Sequence, residues 1–173
     1  MIVMGVDGST SCSGWSIFND DKLIDYGAIK PKSKEWSERL YQEWRYFCEI
    51  IEKYKPKKVY YEQPPLKDGK ITLLKLGAVQ GLIIALCAQY DVEIEFLSPS
   101  EWRKSVGLFD GTHEGTKRDE LKKKSIEKAN QLFGLNLVWK APGSKFNDDD
   151  IADSVLVAYS KVKPRFFGKP KSQ

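Results

Sequence analysis

Residues 2–7 form a short apolar run that stops at Asp7, and alternating apolar and polar positions resume over 14–19 after the small-residue turn Gly8-Ser9-Thr10-Ser11-Cys12-Ser13. Alternation with a period of two predicts strands. A third strand is expected over about 22–30, beyond the tight turn Asn19-Asp20-Asp21. Connections this short make the three strands antiparallel neighbours. Over 35–54, Leu40, Trp44, Phe47, Ile50 and Ile51 recur at spacings of three and four, which predicts an amphipathic helix stopped at Lys55-Pro56.

Lys58 to Glu62 reads as a strand cut off by Pro64-Pro65, 71–89 as an apolar helix, and Glu93 to Leu97 as the next strand. Strand, helix, strand in this order implies a right-handed parallel crossover. Ser98-Pro99-Ser100-Glu101 carries a cap with Pro at the first helical position, so a short helix is expected over 99–106. The glycine-rich stretch 107–116 reads as a mobile loop, and helices over about 117–133 and 148–162 close the pattern. The class is α/β, with three antiparallel strands, two parallel ones and flanking helices.

At 173 residues this amounts to one domain, expected over 1–163, with a basic, flexible tail over 164–173. Lys75, Gln80 and Gln89 interrupt the apolar segment 71–90, which is therefore expected to be a buried helix and not a membrane span. The first residues lack the basic start and long apolar stretch of a signal peptide. Cys12, Cys48 and Cys87 are odd in number and form no CxxC, which argues against a disulfide framework or a zinc site and for a reducing, cytoplasmic setting. The net charge of +4 is only mildly basic, but its distribution is uneven. Lysines and arginines crowd into 117–128 and into the tail from Lys161, while certain carboxylates stand in apolar surroundings.

Those carboxylates are Asp7, Glu62, Asp150 and Asp153, each placed where an apolar run meets a turn. A lone buried charge costs several kcal/mol unless something neutralises it. Clustered together, the four would ask for a divalent cation. Taken singly, each has a plainer reading. Asp7 could be a turn aspartate, or could precede a phosphate-cradling turn of the kind seen in actin-like ATPases. The aspartates at 148–150 could be capping charge that complements the helix dipole. Asp150 and Asp153, three apart on a helix, share a face. Asp149 and Asp153 are also compatible with a shared face, and Asp150 is preferred because Asp148 and Asp149 fit the first turn.

In combination these motifs resemble the RuvC Holliday junction resolvases, including those of phage type. The resemblance is carried by Asp7 with its Gly-Ser-Thr turn and Gly14-Trp15, by Glu62-Gln63 ending the fourth strand, and by Asp150-x-x-Asp153 opening the last helix. It spans residues 1 to about 160 and implies an RNase H-like fold, a single five-stranded mixed sheet with Asp7 and Glu62 on neighbouring strands. It further implies that Asp7, Glu62, Asp150 and Asp153 are catalytic and together hold two Mg²⁺ ions, or Mn²⁺ in their place. The enzyme would be a homodimeric endonuclease that nicks four-way junctions and other branched DNA.

Under the same resemblance Arg103 and Lys117 match basic positions near the scissile phosphate, and Lys104, Arg118 and Lys122 join them as DNA-binding residues. Hard oxygen ligands suit Mg²⁺, and a two-ion site can activate water and stabilise the leaving oxygen of an in-line displacement. The helical lysines also have a plain reading as a solvated face, and His113 reads as an exposed loop residue. Gly77 and Gly81, one turn apart, would let another helix approach closely, near the dimer interface by resemblance. Pro65 stands where the family commonly has an aromatic wedge, which implies a relaxed choice among branched substrates. Two other classes share parts of the pattern: ribonuclease H uses similar carboxylates, and an actin-like ATPase would need a second phosphate loop that is missing from this chain. A catalytically silent branched-DNA binding module would tolerate loss of Glu62, Asp150 and Asp153.

Overall fold

The computed structural model describes residues 1–64 and 69–164. The chain runs β1 (Ile2–Asp7), β2 (Ser13–Asn19), β3 (Lys22–Ile29), α1 (Trp36–Tyr54), β4 (Lys58–Glu62), α2 (Lys70–Gln89), β5 (Glu93–Leu97), α3 (Pro99–Ser105), a 3₁₀ turn (Glu114–Thr116), α4 (Arg118–Phe133) and α5 (Asp149–Val162). The five strands form one sheet in the order β3-β2-β1-β4-β5. β1–β2 and β2–β3 are antiparallel, whereas β1–β4 and β4–β5 are parallel. This is the mixed sheet expected from the sequence.

Strand alternation divides the core into two layers. Met4, Val6, Ile17, Val59 and Tyr61 face Phe47, Ile50 and Ile51 of α1 and Ile83 and Leu86 of α2. Val3, Phe18, Tyr60 and Leu97 face Trp102 of α3, Ile126 of α4 and Val155 and Leu156 of α5. Neighbouring strand residues point to opposite faces, so each strand serves both layers.

α5 lies unusually close to β1 and β2, and two glycines permit it. A Cβ at Gly5 would collide with the Ser154 carbonyl, and one at Gly14 with the Asp150 carbonyl. The Ser16 hydroxyl donates to the Ser154 carbonyl at 2.9 Å, satisfying a buried acceptor at the same contact. The helix N-terminus is therefore held over the carboxyl end of β1. Before it, Asp148 and Val138 exchange two hydrogen bonds, 2.9 and 3.0 Å long. The buried Asn147 side chain ties down Lys140 and Ala141.

Two helices differ from the sequence expectation. On α1 the buried stripe is Glu43, Phe47, Ile50 and Ile51, and Trp44 turns outward with 39% exposure. α2 is not a buried helix: Val79, Ile83, Leu86 and Cys87 are covered, while Ile71 and Leu74 are 71% and 64% exposed. Its length and mean hydropathy of 2.0 are those of a membrane-crossing helix, although Lys75 and two glutamines lie within it. α1 and β5 pack against it and leave the face that carries Ile71, Leu74 and Ile84 uncovered. The expected tail over 164–173 and the reading of Pro65 fall outside the described residues, except for Pro164.

Candidate metal-binding and nucleic-acid site

Asp7 and Glu62 terminate β1 and β4, adjacent parallel strands, so their carboxylates emerge together at the carboxyl edge of the sheet. Open α/β sheets place ligands outside this edge. α5 adds Asp150 and Asp153 from the other direction. One carboxylate oxygen from each of Asp7, Glu62 and Asp153 lies within 4.8 Å of the other two. Asp150 lines the same cleft, a hollow of about 600 Å³ that also includes Ser9, Arg103, Arg118 and Lys122.

Neighbouring groups orient these acids. Trp102 Nε1 donates to Glu62 Oε2 at 2.8 Å, and the Arg103 guanidinium stands 3.8 Å from Glu62 and 3.7 Å from Asp153. Lys122 bonds to Asp149, whose side chain is thereby turned to α4. Asp149 is buried and already neutralised, so Asp150 is the residue left facing the cluster. Asp150 lines the cleft but contributes no oxygen to the group formed by Asp7, Glu62 and Asp153.

Packing carboxylates together in a poorly solvated cleft disfavours their ionisation. Burial, and then repulsion from Glu62, Asp150 and Asp153, holds Asp7 well above the usual carboxylate range. Burial and Asp153 push Glu62 up to about 7, against the pull of Arg103. Burial raises Asp153 to about 6 and also raises Asp150. Asp153 Oδ1 is buried without a hydrogen-bond partner among the described residues. Three carboxylates that each bring one oxygen within 4.8 Å of the others fit a divalent cation, and the all-oxygen donor set fits a hard one.

The cleft continues past Asp150 into a second hollow of about 830 Å³, which shares Arg118, Lys122 and Asp150 with the first. Its walls bring in Cys12, Lys30 from the end of β3 and Lys145 from the loop before α5. Lys30, Arg118 and Lys145 have no carboxylate partner among the described residues. Of the five basic residues singled out in the sequence, Arg103, Arg118 and Lys122 meet at the cleft. Lys104 is exposed on α3 outside it, and Lys117, just before α4, pairs with Glu114 at 2.6 Å. Sequence reasoning missed Lys30, which opens the short basic run Lys30-Pro31-Lys32-Ser33-Lys34, and Lys145, which no pattern marks. The three cysteines are free, as their spacing implied.

A mixed sheet of this order, carrying acidic residues at the ends of β1 and β4 and on the final helix, defines the RNase H-like class of metal-dependent nucleases. A sequence profile described as "Crossover junction endodeoxyribonuclease RuvC" matches residues 3–119. The chain belongs to the RuvC family. It is 29% identical over 142 residues to the protein of that name from Nitratidesulfovibrio vulgaris, covering 80% of this chain and 81% of the relative. With the Rickettsia bellii protein of the same name it shares 27% identity over 168 residues, 92% of this chain and 96% of the relative. The Thermus thermophilus RuvC structure solved in complex with a Holliday junction substrate superposes with a TM-score of 0.71 at 16% identity, covering 92% of each chain.

Proposed function

We propose that this protein is a structure-selective endonuclease that nicks four-way junctions and other branched DNA, using Asp7, Glu62, Asp150 and Asp153 to hold two Mg²⁺ ions, with Mn²⁺ as a substitute. The observation that carries this reading is the convergence of Asp7, Glu62 and Asp153 oxygens within 4.8 Å. When bound, the ions supply an activated water and stabilise the charge of the leaving 3′-oxygen. The products are a 5′-phosphate and a 3′-hydroxyl, which a ligase can reseal.

The protein's own groups bind and orient. Arg103 is fixed between Glu62 and Asp153, so its guanidinium sits beside the position of the scissile phosphate. Arg118, Lys30 and Lys145, with no acidic partners of their own among the described residues, line a path along which a strand can leave the carboxylates. Lys122 marks the junction of the two hollows. Lys104 and Lys117 lie outside the cleft and serve the duplex arms.

Paired nicks across a junction require two sites, and α2 supplies the face on which two copies meet. Its uncovered Ile71, Leu74 and Ile84 form an apolar surface, and open space stands over Gly77 and Gly81, where a second helix can approach closely.

The deciding experiment offers the wild-type protein and Asp7→Asn a synthetic four-way junction, a fork and an RNA–DNA hybrid in Mg²⁺, and junction binding is measured in Ca²⁺. Nicking of the branched DNAs by the wild type alone, with binding retained by both, supports the assignment. Cleavage confined to the RNA strand of the hybrid would move the protein to ribonuclease H chemistry, and undiminished nicking by Asp7→Asn would overturn the site.

A further inference from the structure

Behind the cleft, Ser13 Oγ is the meeting point of three partners. The Ser9 backbone N–H reaches it at 3.0 Å, the Ser9 carbonyl lies 2.9 Å away, and both carboxyl oxygens of Glu43 stand at 3.0 Å. Glu43 comes from the buried stripe of α1 and is 0% exposed. No ion pair reaches it among the described residues.

The count of protons and lone pairs decides its charge. A serine hydroxyl gives one proton and accepts two. If Ser13 donates to the Ser9 carbonyl and accepts from the Ser9 N–H, the remaining lone pair needs a donor. A neutral Glu43 carboxyl supplies that donor and satisfies every role. An ionised Glu43 only accepts; it would compete with the Ser9 carbonyl for the single Ser13 proton and leave one buried acceptor bare. The groups acting on Glu43 are consistent with the neutral form. Arg39, one turn earlier on the same helix, draws it toward ionisation, but its Nε is buried and makes no hydrogen bond among the described residues. Tyr61 reaches toward it from β4 with a buried hydroxyl that has no partner among the described residues and that burial keeps protonated except at strongly alkaline pH. Burial outweighs Ser13 and Arg39 and pushes Glu43 up to about 8.

We infer that Glu43 is a positioning residue, a protonated acid that locks the Gly8–Cys12 turn through Ser13 and so fixes both Asp7 and the Ser9 wall of the cleft. The turn has little slack on its other side, because a Cβ at Gly8 would collide with the Tyr61 hydroxyl. Ionising Glu43 withdraws the Ser13 proton from the Ser9 carbonyl and frees the turn next to Asp7. The catalytic part of this inference rests on the nuclease reading of the cleft; the hydrogen-bond assignment does not.

Two variants test it. Glu43→Gln carries an amide donor toward Ser13 at every pH, whereas Glu43→Leu fills the space and donates nothing. Junction nicking and half-saturating Mg²⁺ are measured over roughly pH 6.5 to 9, and melting temperatures over roughly pH 5 to 9. Glu43→Leu is expected to lose roughly tenfold in rate or in apparent Mg²⁺ affinity, the scale seen when a residue supporting a metal ligand is removed. Glu43→Gln should restore both and should keep its rate above pH 8, where the wild type declines.

The folded acid holds its proton up to about 8, far above the ordinary glutamate range, so wild-type stability falls as pH rises through that interval. The melting temperature of Glu43→Gln relative to wild type should accordingly climb between about pH 5 and 8.5. Parallel melting curves, or the same alkaline decline in Glu43→Gln, would overturn the inference. Should neither protein nick any branched DNA, the nuclease reading fails, and the melting comparison still decides the state of Glu43.

Discussion

Lys122 bonds to Asp149, and this one contact separates two adjacent aspartates that sequence position makes nearly equivalent. Asp149 is spent on the lysine; Asp150 faces the cleft beside Asp7. Asp150→Asn should therefore abolish nicking while junction binding in Ca²⁺ persists. Asp149→Asn should cost only about tenfold, because it loosens Lys122 and leaves the ligands in place. Single-turnover nicking rates of the two variants check the ranking, and equal losses would contradict it.

Binding of an ion requires the carboxylates to lose their protons. With Glu62 at about 7 and Asp153 at about 6, the metal-free folded state keeps protons that the unfolded chain has already released. Its stability consequently falls as pH rises from the ordinary carboxylate range to about 7. In EDTA the melting temperature should drop across that interval, and Mg²⁺ should offset the drop increasingly as pH rises. Nicking at limiting Mg²⁺ should climb over the same range. Calorimetry with and without Mg²⁺ measures the first effect and initial rates the second; a Mg²⁺ stabilisation that shrinks with rising pH would contradict this coupling between proton release and ion binding.

Lys30 and Lys145 flank the hollow beyond Asp150 and have no acidic partners among the described residues. A Lys30→Ala, Lys145→Ala double variant should bind junctions more weakly, and the slope of log affinity against log salt should fall by about 0.7–0.9 for each phosphate that is no longer neutralised. Titration at several salt concentrations reads this directly. Nicking at low salt and saturating protein should survive, because neither lysine touches the carboxylates.

Leu74 is exposed on α2, so Leu74→Glu should leave the fold of one copy undisturbed. Sedimentation is expected to show a dimer for the wild type and a monomer for this variant. Nicks made by the variant on opposite strands of a junction should then become uncoupled. A variant that still sediments as a dimer would place the interface elsewhere.

Much of this architecture is readable in the chain because its signals are local. Asp7 and Glu62 each end an apolar run, and a carboxylate in that position marks the edge of a sheet whatever the rest of the fold does. The parallel pairing of β4 with β5 likewise follows from a strand that must return over a helix, whereas the seat of β4 beside β1 is implied only by the family resemblance. What escapes is decided by distant partners. Glu43 rather than Trp44 enters the α1 stripe because Ser13, thirty positions away, receives its carboxyl. Apolarity on all sides of α2 indicates burial but does not identify what buries it. Lys117 belongs by sequence to a basic run, yet it lies just outside α4 and turns to Glu114. Lys30 and Lys145 come together only because β3 ends beside the loop that precedes α5.

The glycine-permitted seat of α5 on β1 and β2 also has a consequence in time. Two of the four carboxylates reside on the last helix, so a ribosome-bound chain can complete all five strands and still hold no complete acidic cluster. A nascent or truncated product ending before Asp149 would carry the sheet without two of the four proposed ligands. If the proposed ligand set holds, competence to cut waits until α5 has been made and has taken its seat on β1 and β2.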